Sequence, residues 1–285
     1  MIGAGGGLAD AALQSGPAWD GPAVDIDFLA GRYQIDGVTY PDLEAAMRAG
    51  VLRFSGGEGG TIIKNGIMIP ASAPRIGDQG LVLERASRNR IPQAASFGET
   101  VVINPLTDLS YQGQESGVDV YAFSGASTDT YLQFNQIDLT GIALGDPVVF
   151  SLYVHNTSTP RFSLWVGLGG DHDIGRTRAD VDLEAGTITV SGDLDGVSPS
   201  AGLSHELTGF TRVWLTSERV GTDSEIEMCR IESVLGGIAI ACPQFENSHN
   251  KSSFIPNSER ELDAADVLYS NIKNIDYGKY TNLYM

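Results

Sequence analysis

The stretch Val148-Val149-Phe150-Ser151-Leu152-Tyr153-Val154-His155 decides the fold of this chain. Every second position holds a large apolar residue: Val148, Phe150, Leu152, Val154. The positions between them hold a mixture of residue types: Val149, Ser151, Tyr153, His155. Because successive side chains of a β-strand point to opposite faces, this pattern predicts a strand with one face in a core and a more polar face turned away from it.

Two further stretches, 161–168 and 211–216, show the same alternation. Their predicted core-facing positions are Phe162, Leu164, Val166, Leu168, Thr211, Val213 and Leu215. Their opposite positions are Arg161, Ser163, Trp165, Gly167, Arg212, Trp214 and Thr216. The three stretches together predict strands whose aliphatic positions form the core and whose other positions form a second face with aromatic and polar side chains.

Short strand-like runs recur between residues 81 and 269, separated by Gly, Asn, Asp and Pro. The predicted strands are Val118–Phe123, Thr130–Phe134, Val148–His155, Arg161–Leu168, Arg178–Leu183, Thr187–Ser191, Thr211–Thr216, Glu225–Ser233 and Gly237–Phe245. Strands at this spacing with no helical pattern between them favour an all-β fold, an antiparallel sandwich, over a parallel sheet.

The chain divides into four predicted parts: a flexible Gly- and Ala-rich arm at 1–21, a small α+β attachment region at 22–79, the β-sandwich at 80–269 and a tail at 270–285. Within the attachment region, Pro41 stands at a favourable first position of a helix over Asp42–Ala49, and Gly50 stops it. Asn-Gly at 65–66 predicts a hairpin with a type I′ turn in Thr61–Ile69.

Charge and composition exclude several function classes. The 18 basic side chains face 36 acidic ones, a net charge of −18, so nucleic acid and anionic membrane surfaces are repelled at long range. We find no apolar run long enough to insert into a membrane and no secretory signal, which indicates synthesis in the cytoplasm. Cys229 and Cys242 lie on neighbouring predicted strands, but a lone pair in a protein made in the cytoplasm is more often reduced than bonded.

The predicted outward face is the candidate binding site. Tyr153, Trp165 and Trp214 lie on it with Arg212 and His155. Flat aromatic rings cover the apolar side of a sugar ring, while hydroxyl and guanidinium groups bond its hydroxyls. The same residue types also line interfaces between subunits, so the pattern is equally consistent with glycan contact and with protein contact.

Patterns typical of catalysis or metal binding are weak. Asp171-His172-Asp173 would point to opposite sides of an extended chain, and residues 192–196 resemble a calcium loop without its closing Glu, so we expect no cofactor and leave structural calcium as a minor alternative. His205-Glu206 has no matching nucleophile in triad order. A polysaccharide depolymerase would need two facing carboxylates, which the abundance of acidic residues neither supports nor excludes.

Several segments resemble modules of bacteriophage tail fibres and head spikes. Residues 80–91, GLVLERASRNRI, are similar to the "GLLIEPARTNLL" opening of such modules, and IAIACPQFE at 238–246, SFIPN at 253–257 and DAADV at 263–267 are similar to their closing segment. Between them, DVDLEAGTI at 180–188 and GFTRVW at 209–214 resemble the "FDLSTGTV" and "GWYRV" motifs in the same order. The sequence departs at Cys242, where the family usually has Gly or Trp, and at Glu261-Leu262-Asp263, where it has Thr-Arg.

The resemblance implies a jelly-roll sandwich similar to lectins and carbohydrate-binding modules, carried on a virion. It implies a structural protein, a head spike, head fibre or tail-fibre component, and not an enzyme. We expect other virion proteins as partners of the N-terminal region, a homo-oligomer, and host-surface polysaccharide as a ligand. The alternative is an architectural capsid decoration or connector protein without a ligand, and a depolymerase is the least favoured function.

Overall fold

The structure is a computed structural model. It describes residues 24–27, 30–35, 38–55, 60–70, 76–77, 80–81, 88–91, 94–97, 101–103, 107–125, 130–134, 137–158, 161–167, 177–192, 199–219, 225–226, 228–233, 237–252, 254–256 and 267–270. The predicted arm at 1–21, the sequence at 171–173, residues 193–196 of the possible calcium loop and residues 271–285 of the predicted tail lie outside these ranges.

The described residues form one short helix and otherwise strands and turns. The first elements are β1 (Val24–Asp27), β2 (Arg32–Ile35), β3 (Val38–Tyr40), α1 (Leu43–Arg48), β4 (Leu52–Ser55), β5 (Thr61–Lys64), β6 (Ile67–Pro70), β7 (Ile76–Gly77) and β8 (Gly80–Leu81). The next are β9 (Val101–Ile103), β10 (Thr107–Glu115), β11 (Val118–Gly125), β12 (Thr130–Phe134), β13 (Ile137–Asp138), β14 (Pro147–His155), β15 (Arg161–Gly167) and β16 (Thr177–Asp182). The last are β17 (Thr187–Gly192), β18 (Ala201–Ser204), β19 (Phe210–Glu218), β20 (Glu225–Ile226), β21 (Met228–Ser233), β22 (Ile238–Glu246) and β23 (Val267–Ser270).

The chain forms two compact units. The smaller unit holds the described residues up to Asn65, those from Pro70 to Leu81, and β23, which pairs with β4 in antiparallel register. The larger unit holds Gly66–Ile69 and the described residues from Arg88 to Pro256. The larger unit is therefore inserted into the chain of the smaller one, and the predicted sandwich at 80–269 extends beyond it at both ends.

In the smaller unit, α1 packs its buried residues into a small apolar cluster: Ile26, Tyr33, Ile35, Leu43, Ala46, Leu52. The helix is present as predicted, but Asp42 is its N-cap, and the Ala45 amide donates to the Asp42 carboxylate over 2.7 Å. Pro41 thus precedes the cap and does not occupy the first helical position. Gly50, with φ of 73°, follows the end of the helix as predicted.

The predicted hairpin around Asn65-Gly66 is also present, formed by β5 and β6. Asn65 has φ of 53° and Gly66 has φ of 69°, the positive backbone angles that a type I′ turn needs at both central positions.

The larger unit contains two six-stranded antiparallel sheets. The first sheet has the order β10-β11-β22-β14-β19-β18, and the second has the order β17-β16-β15-β21-β12-β9. Eight of the nine strands predicted from residue 118 onward lie in these two sheets, with bounds that differ by at most two residues. The ninth, Glu225–Ser233, is divided into β21 of the second sheet and β20, which pairs with β13 in a separate two-stranded sheet. The all-β, antiparallel prediction is confirmed for the described residues.

The inner faces of the two sheets share one core. Phe150, Leu164 and Val213, each predicted to point inward, are fully buried. The Phe134 ring of the second sheet lies 5.7 Å from the Phe150 ring of the first, measured between centroids. The close packing of these core side chains holds the two sheets together.

Candidate functional site

Strand pairing defines the outer face of the first sheet, which was predicted to be a binding surface. Tyr153 stands opposite Arg212, and Ser151 stands opposite Trp214, on β14 and β19. This face is not open to solvent at Tyr153 and Arg212, which are 1% and 2% exposed. The prediction that these two side chains are accessible is wrong: a later segment of the chain covers Arg212, and the Arg212 guanidinium lies over the Tyr153 ring.

The covering segment, which we call the strap, comprises Lys251, Ser252 and Phe254–Pro256. Arg212 Nη1 donates to the Ser252 carbonyl over 2.7 Å, and the Ile255 amide donates to Gln244 Oε1 over 2.8 Å. Phe254 and Ile255 are each 4% exposed, so the strap is held by apolar burial as well as by hydrogen bonds. The strap converts this part of the outer face into a second, polar interior.

Polar groups beneath the strap are bonded to one another. Glu246 accepts from the Ser252 amide at 3.1 Å and from the Ser252 hydroxyl at 2.5 Å, and Gln244 Nε2 donates to Glu246 over 2.6 Å. Arg212 Nη2 donates to Ser151 over 3.0 Å, and its guanidinium lies 5.3 Å from the Tyr153 ring centroid. Burial raises the pKa of the Tyr153 hydroxyl above its usual range, so this residue stays neutral.

At the margin of the strap, Lys251 binds two residues that precede it in the chain. Its ammonium donates to Glu206 over 2.7 Å and lies 5.2 Å from the Trp214 ring centroid. Burial opposes ionisation of Glu206, but the Lys251 ammonium and the Arg212 guanidinium outweigh it and hold the pKa of this carboxyl below its usual value. Trp214 is half-buried, and its ring occupies the space that a side chain at Gly202 would need.

His155, the fifth predicted site residue, is the last residue of β14. Its Nε2 is 3.1 Å from Glu115 Oε1, its Nδ1 is 2.6 Å from Thr157 Oγ1, and its ring meets Phe210 edge-on at 5.0 Å between centroids. These contacts fix the orientation of the imidazole ring. The structure thus does not bring His155 together with Trp165.

The opening and closing segments of the phage-like pattern meet at one buried residue, Asn89. Its Nδ2 donates to the carbonyls of Pro243 (3.1 Å) and Ile255 (3.0 Å). Its Oδ1 accepts from the amides of Ile91 and Phe245, both at 3.1 Å. The full hydrogen-bonding capacity of the amide is used, so these motif residues build the framework.

The outer face of the second sheet remains as the candidate site, and we call it the Trp165 face. Its side chains are half-buried or exposed, except Ser163, which is buried. Strand pairing arranges its side chains in two rows across the strands. The first row is Ser191, Arg178, Trp165, Arg230, Gln133, and the second row is Thr189, Asp180, Ser163, Glu232, Tyr131. Of these, sequence reasoning selected only Trp165, although the alternation in 178–182 and 228–233 carries the signal for the others.

Trp165 lies at the centre of a network on this face. Its indole N–H donates to Glu232 over 2.8 Å, and Arg230 forms an ion pair with the same carboxylate. Arg178 and Arg230, on the strands to either side, have guanidinium carbons 4.9 Å and 5.4 Å from the Trp165 ring centroid. Arg178 pairs in turn with Asp180 over 2.6 Å. The arrangement fixes planar polar groups in a half-exposed surface.

All four aromatic rings discussed on the two outer faces carry a cation of the protein itself. Arg178 and Arg230 lie over Trp165, and Arg230 also lies over Tyr131 at 4.8 Å. Arg212 lies over Tyr153, and Lys251 lies over Trp214. Direct stacking of a sugar on Trp165, as expected from the sequence, would require one of these arginines to move.

Neither cysteine forms a disulfide. Cys229 belongs to β21 in the second sheet and Cys242 to β22 in the first, and both thiols are free and buried. Cys242 has φ of 51° at a bulge of β22, a left-handed backbone conformation in which glycine is unstrained. Its Sγ lies 3.9 Å from Met68 Sδ.

Within the described ranges, no group of three or more His, Cys, Asp and Glu side chains is arranged to hold a metal ion. No helix among these residues has the length and apolar character needed to cross a membrane. A scan against protein-family models finds no match to this chain, and a search of curated proteins also finds none.

Proposed function

We propose that this chain is a structural protein of a bacteriophage particle, a head spike, head fibre or tail-fibre component, and that its larger unit is a jelly-roll module that contacts host-surface polysaccharide. The resemblance of the opening and closing segments to phage modules supports the assignment to a bacteriophage particle. The observation that supports the binding role is the Trp165 face, where half-buried Trp165 is surrounded by guanidinium, carboxylate and hydroxyl groups that bond to one another.

The proposal assigns the smaller unit and the N-terminal residues to attachment on the particle and the larger unit to the host side. It includes synthesis in the host cytoplasm, assembly as a homo-oligomer, and no nucleic-acid or membrane partner, in keeping with the net charge of −18. Several copies on one particle would convert weak single contacts into useful avidity. No cofactor and no catalytic step are part of the proposal.

Binding of the labelled full chain to host cells tests this function. We expect the native chain to bind and Trp165→Ala to reduce binding at least tenfold, because the change removes the support for both flanking arginines. Tyr111→Ala is the matched control, since Tyr111 is 55% exposed on the edge strand β10 of the first sheet. Equal loss in both variants, or no binding by the native chain, would refute the proposal.

The architectural alternative is favoured by one observation, namely that the outer aromatic rings are already covered by the protein's own cations. Under that alternative the Trp165 face would contact a neighbouring subunit. Particles assembled with Trp165→Ala would then lose this protein from the virion, whereas under the proposal they would retain it and lose attachment to cells.

A further inference from the structure

The Trp165 face is electrically balanced in a strongly acidic chain. Among the described residues of this face, three arginines stand against three carboxylates, and each arginine is paired: Arg161–Asp182, Arg178–Asp180, Arg230–Glu232. The whole chain carries a net charge of −18. A polyanion would therefore be repelled at long range and would find no surplus of positive charge on this face to compensate.

We infer that the ligand of the Trp165 face is an uncharged hexose polymer, bound through its hydroxyls by the paired arginines and carboxylates; this rests on the proposed function. Charged groups that already pair with each other keep free N–H donors and free carboxylate lone pairs, and these form hydrogen bonds stronger than those between neutral groups. Hydroxyl groups both donate and accept, so they can bond both members of a pair such as Arg178 and Asp180.

The arrangement in rows sets the direction and size of the ligand. Five neighbouring strands contribute to each row, and four interstrand spacings of about 4.8 Å give a length of roughly 19 Å. A linear chain of several sugars, lying across the strands, would contact both rows along this length. Its rings would rest beside Trp165 and not flat on it, because Arg178 and Arg230 lie over the indole.

Affinity electrophoresis of the full chain in gels that contain a polysaccharide tests this inference. The uncharged probes are dextran, mannan and galactan, and the carboxylated probes are alginate and hyaluronan. We expect at least one uncharged polymer to retard the chain equally at about 20 mM and about 500 mM salt, since binding without net charge is insensitive to screening. Retardation by the carboxylated polymers alone, or one that disappears at high salt, would overturn the inference.

Substitutions locate the site. Arg178→Ala and Arg230→Ala should each weaken binding about tenfold or more, the effect of losing a hydrogen bond to a charged group. Arg178→Lys keeps the charge and loses the planar donors, so it should also weaken binding. Arg48→Ala, at an exposed position of α1 in the smaller unit, is the control. Variants whose stability to urea is unchanged are folded. Unchanged binding by a folded Arg178→Lys variant would refute the assignment of the ligand to the Trp165 face.

Competition on host cells separates this inference from the proposed function. If the chain binds cells but the uncharged polymers do not compete, the ligand class is wrong and the host-binding function stands. If the native chain binds no host cells, both are refuted.

Discussion

Asn89→Ala gives the sharpest test of how the larger unit is held together. Asn89 is fully buried and makes four hydrogen bonds, two from Nδ2 and two to Oδ1, that join the opening segment, β22 and the strap. A buried hydrogen bond contributes about 1 kcal/mol net, so removing all four hydrogen bonds should lower the free energy of unfolding by about 4 kcal/mol. That is a large share of the 5–15 kcal/mol, in rough terms, that stabilises a typical domain.

The measurement is urea unfolding of the full chain, followed by tryptophan fluorescence, to which Trp165 and Trp214 of the same unit contribute. Ser96→Ala, an exposed position in the same unit, serves as the control and should change stability by less than about 0.5 kcal/mol. A loss below about 1 kcal/mol for Asn89→Ala would show that the amide does not join these segments.

Asn89→Asp adds a pH dependence of known sign. The carboxylate can still accept from the two amides. It cannot donate to the carbonyls of Pro243 and Ile255, however, and its second oxygen is repelled by them. Burial raises the pKa of such a carboxyl in the folded state, so the variant should be least stable relative to the native chain at neutral pH. The difference should shrink as the pH falls through that raised pKa, and a deficit independent of pH between about 7 and 4 would contradict the explanation.

Three further results are expected. Lys251→Met should lower the free energy of unfolding by about 1 kcal/mol at pH 7, because Glu206 loses its ion-pair partner. Since the folded-state pKa of Glu206 is lowered, this loss should disappear as the pH falls through that pKa, which unfolding measured across acid pH would show. Gly202→Ala should displace the Trp214 ring, because the new Cβ would overlap the ring atom Cζ2. The free energy of unfolding should fall by about 1–3 kcal/mol and the tryptophan fluorescence should change. Gly237→Ala, where the nearest atom to the new Cβ is 3.7 Å away, should change neither stability nor fluorescence. Both cysteine thiols should react with iodoacetamide only after unfolding, because both are buried, and fast labelling of the native chain would contradict their placement.

The period-two pattern predicted the positions of most strands well and the exposure of the outer faces poorly. Strands such as β14, β15 and β19 carry one apolar and one mixed face, so their location and inner faces follow directly from alternation. Strand β10 was not predicted, because its sequence TDLSYQGQE has few apolar residues and it lies at the edge of the first sheet, where little burial is needed.

The burial of Tyr153 and Arg212 could not be read from their own strands. Alternation assigns a side chain to a face, but the strap that covers this face follows about 40 residues after Arg212 in the chain. Likewise, Cys229 and Cys242 are close in sequence, but their strands belong to different sheets, which only the topology reveals. Trp165 was placed correctly on an outer face, whereas the two arginines over its ring come from neighbouring strands whose order the sequence does not state.

The joining of Arg88–Ile91 and the strap on β22 has an evolutionary consequence. A folded body whose two ends leave from adjacent points can be transplanted as a cassette into a surface turn of an unrelated carrier, because it does not force the carrier's own chain ends apart. Asn89 holds the two ends of residues 88–256 together through its own amide, and Gly66–Ile69 from the flanking chain complete the larger unit. Recombination that exchanged residues 88–256 would therefore leave the β4–β23 pair of the smaller unit, contributed by the two flanks, unchanged.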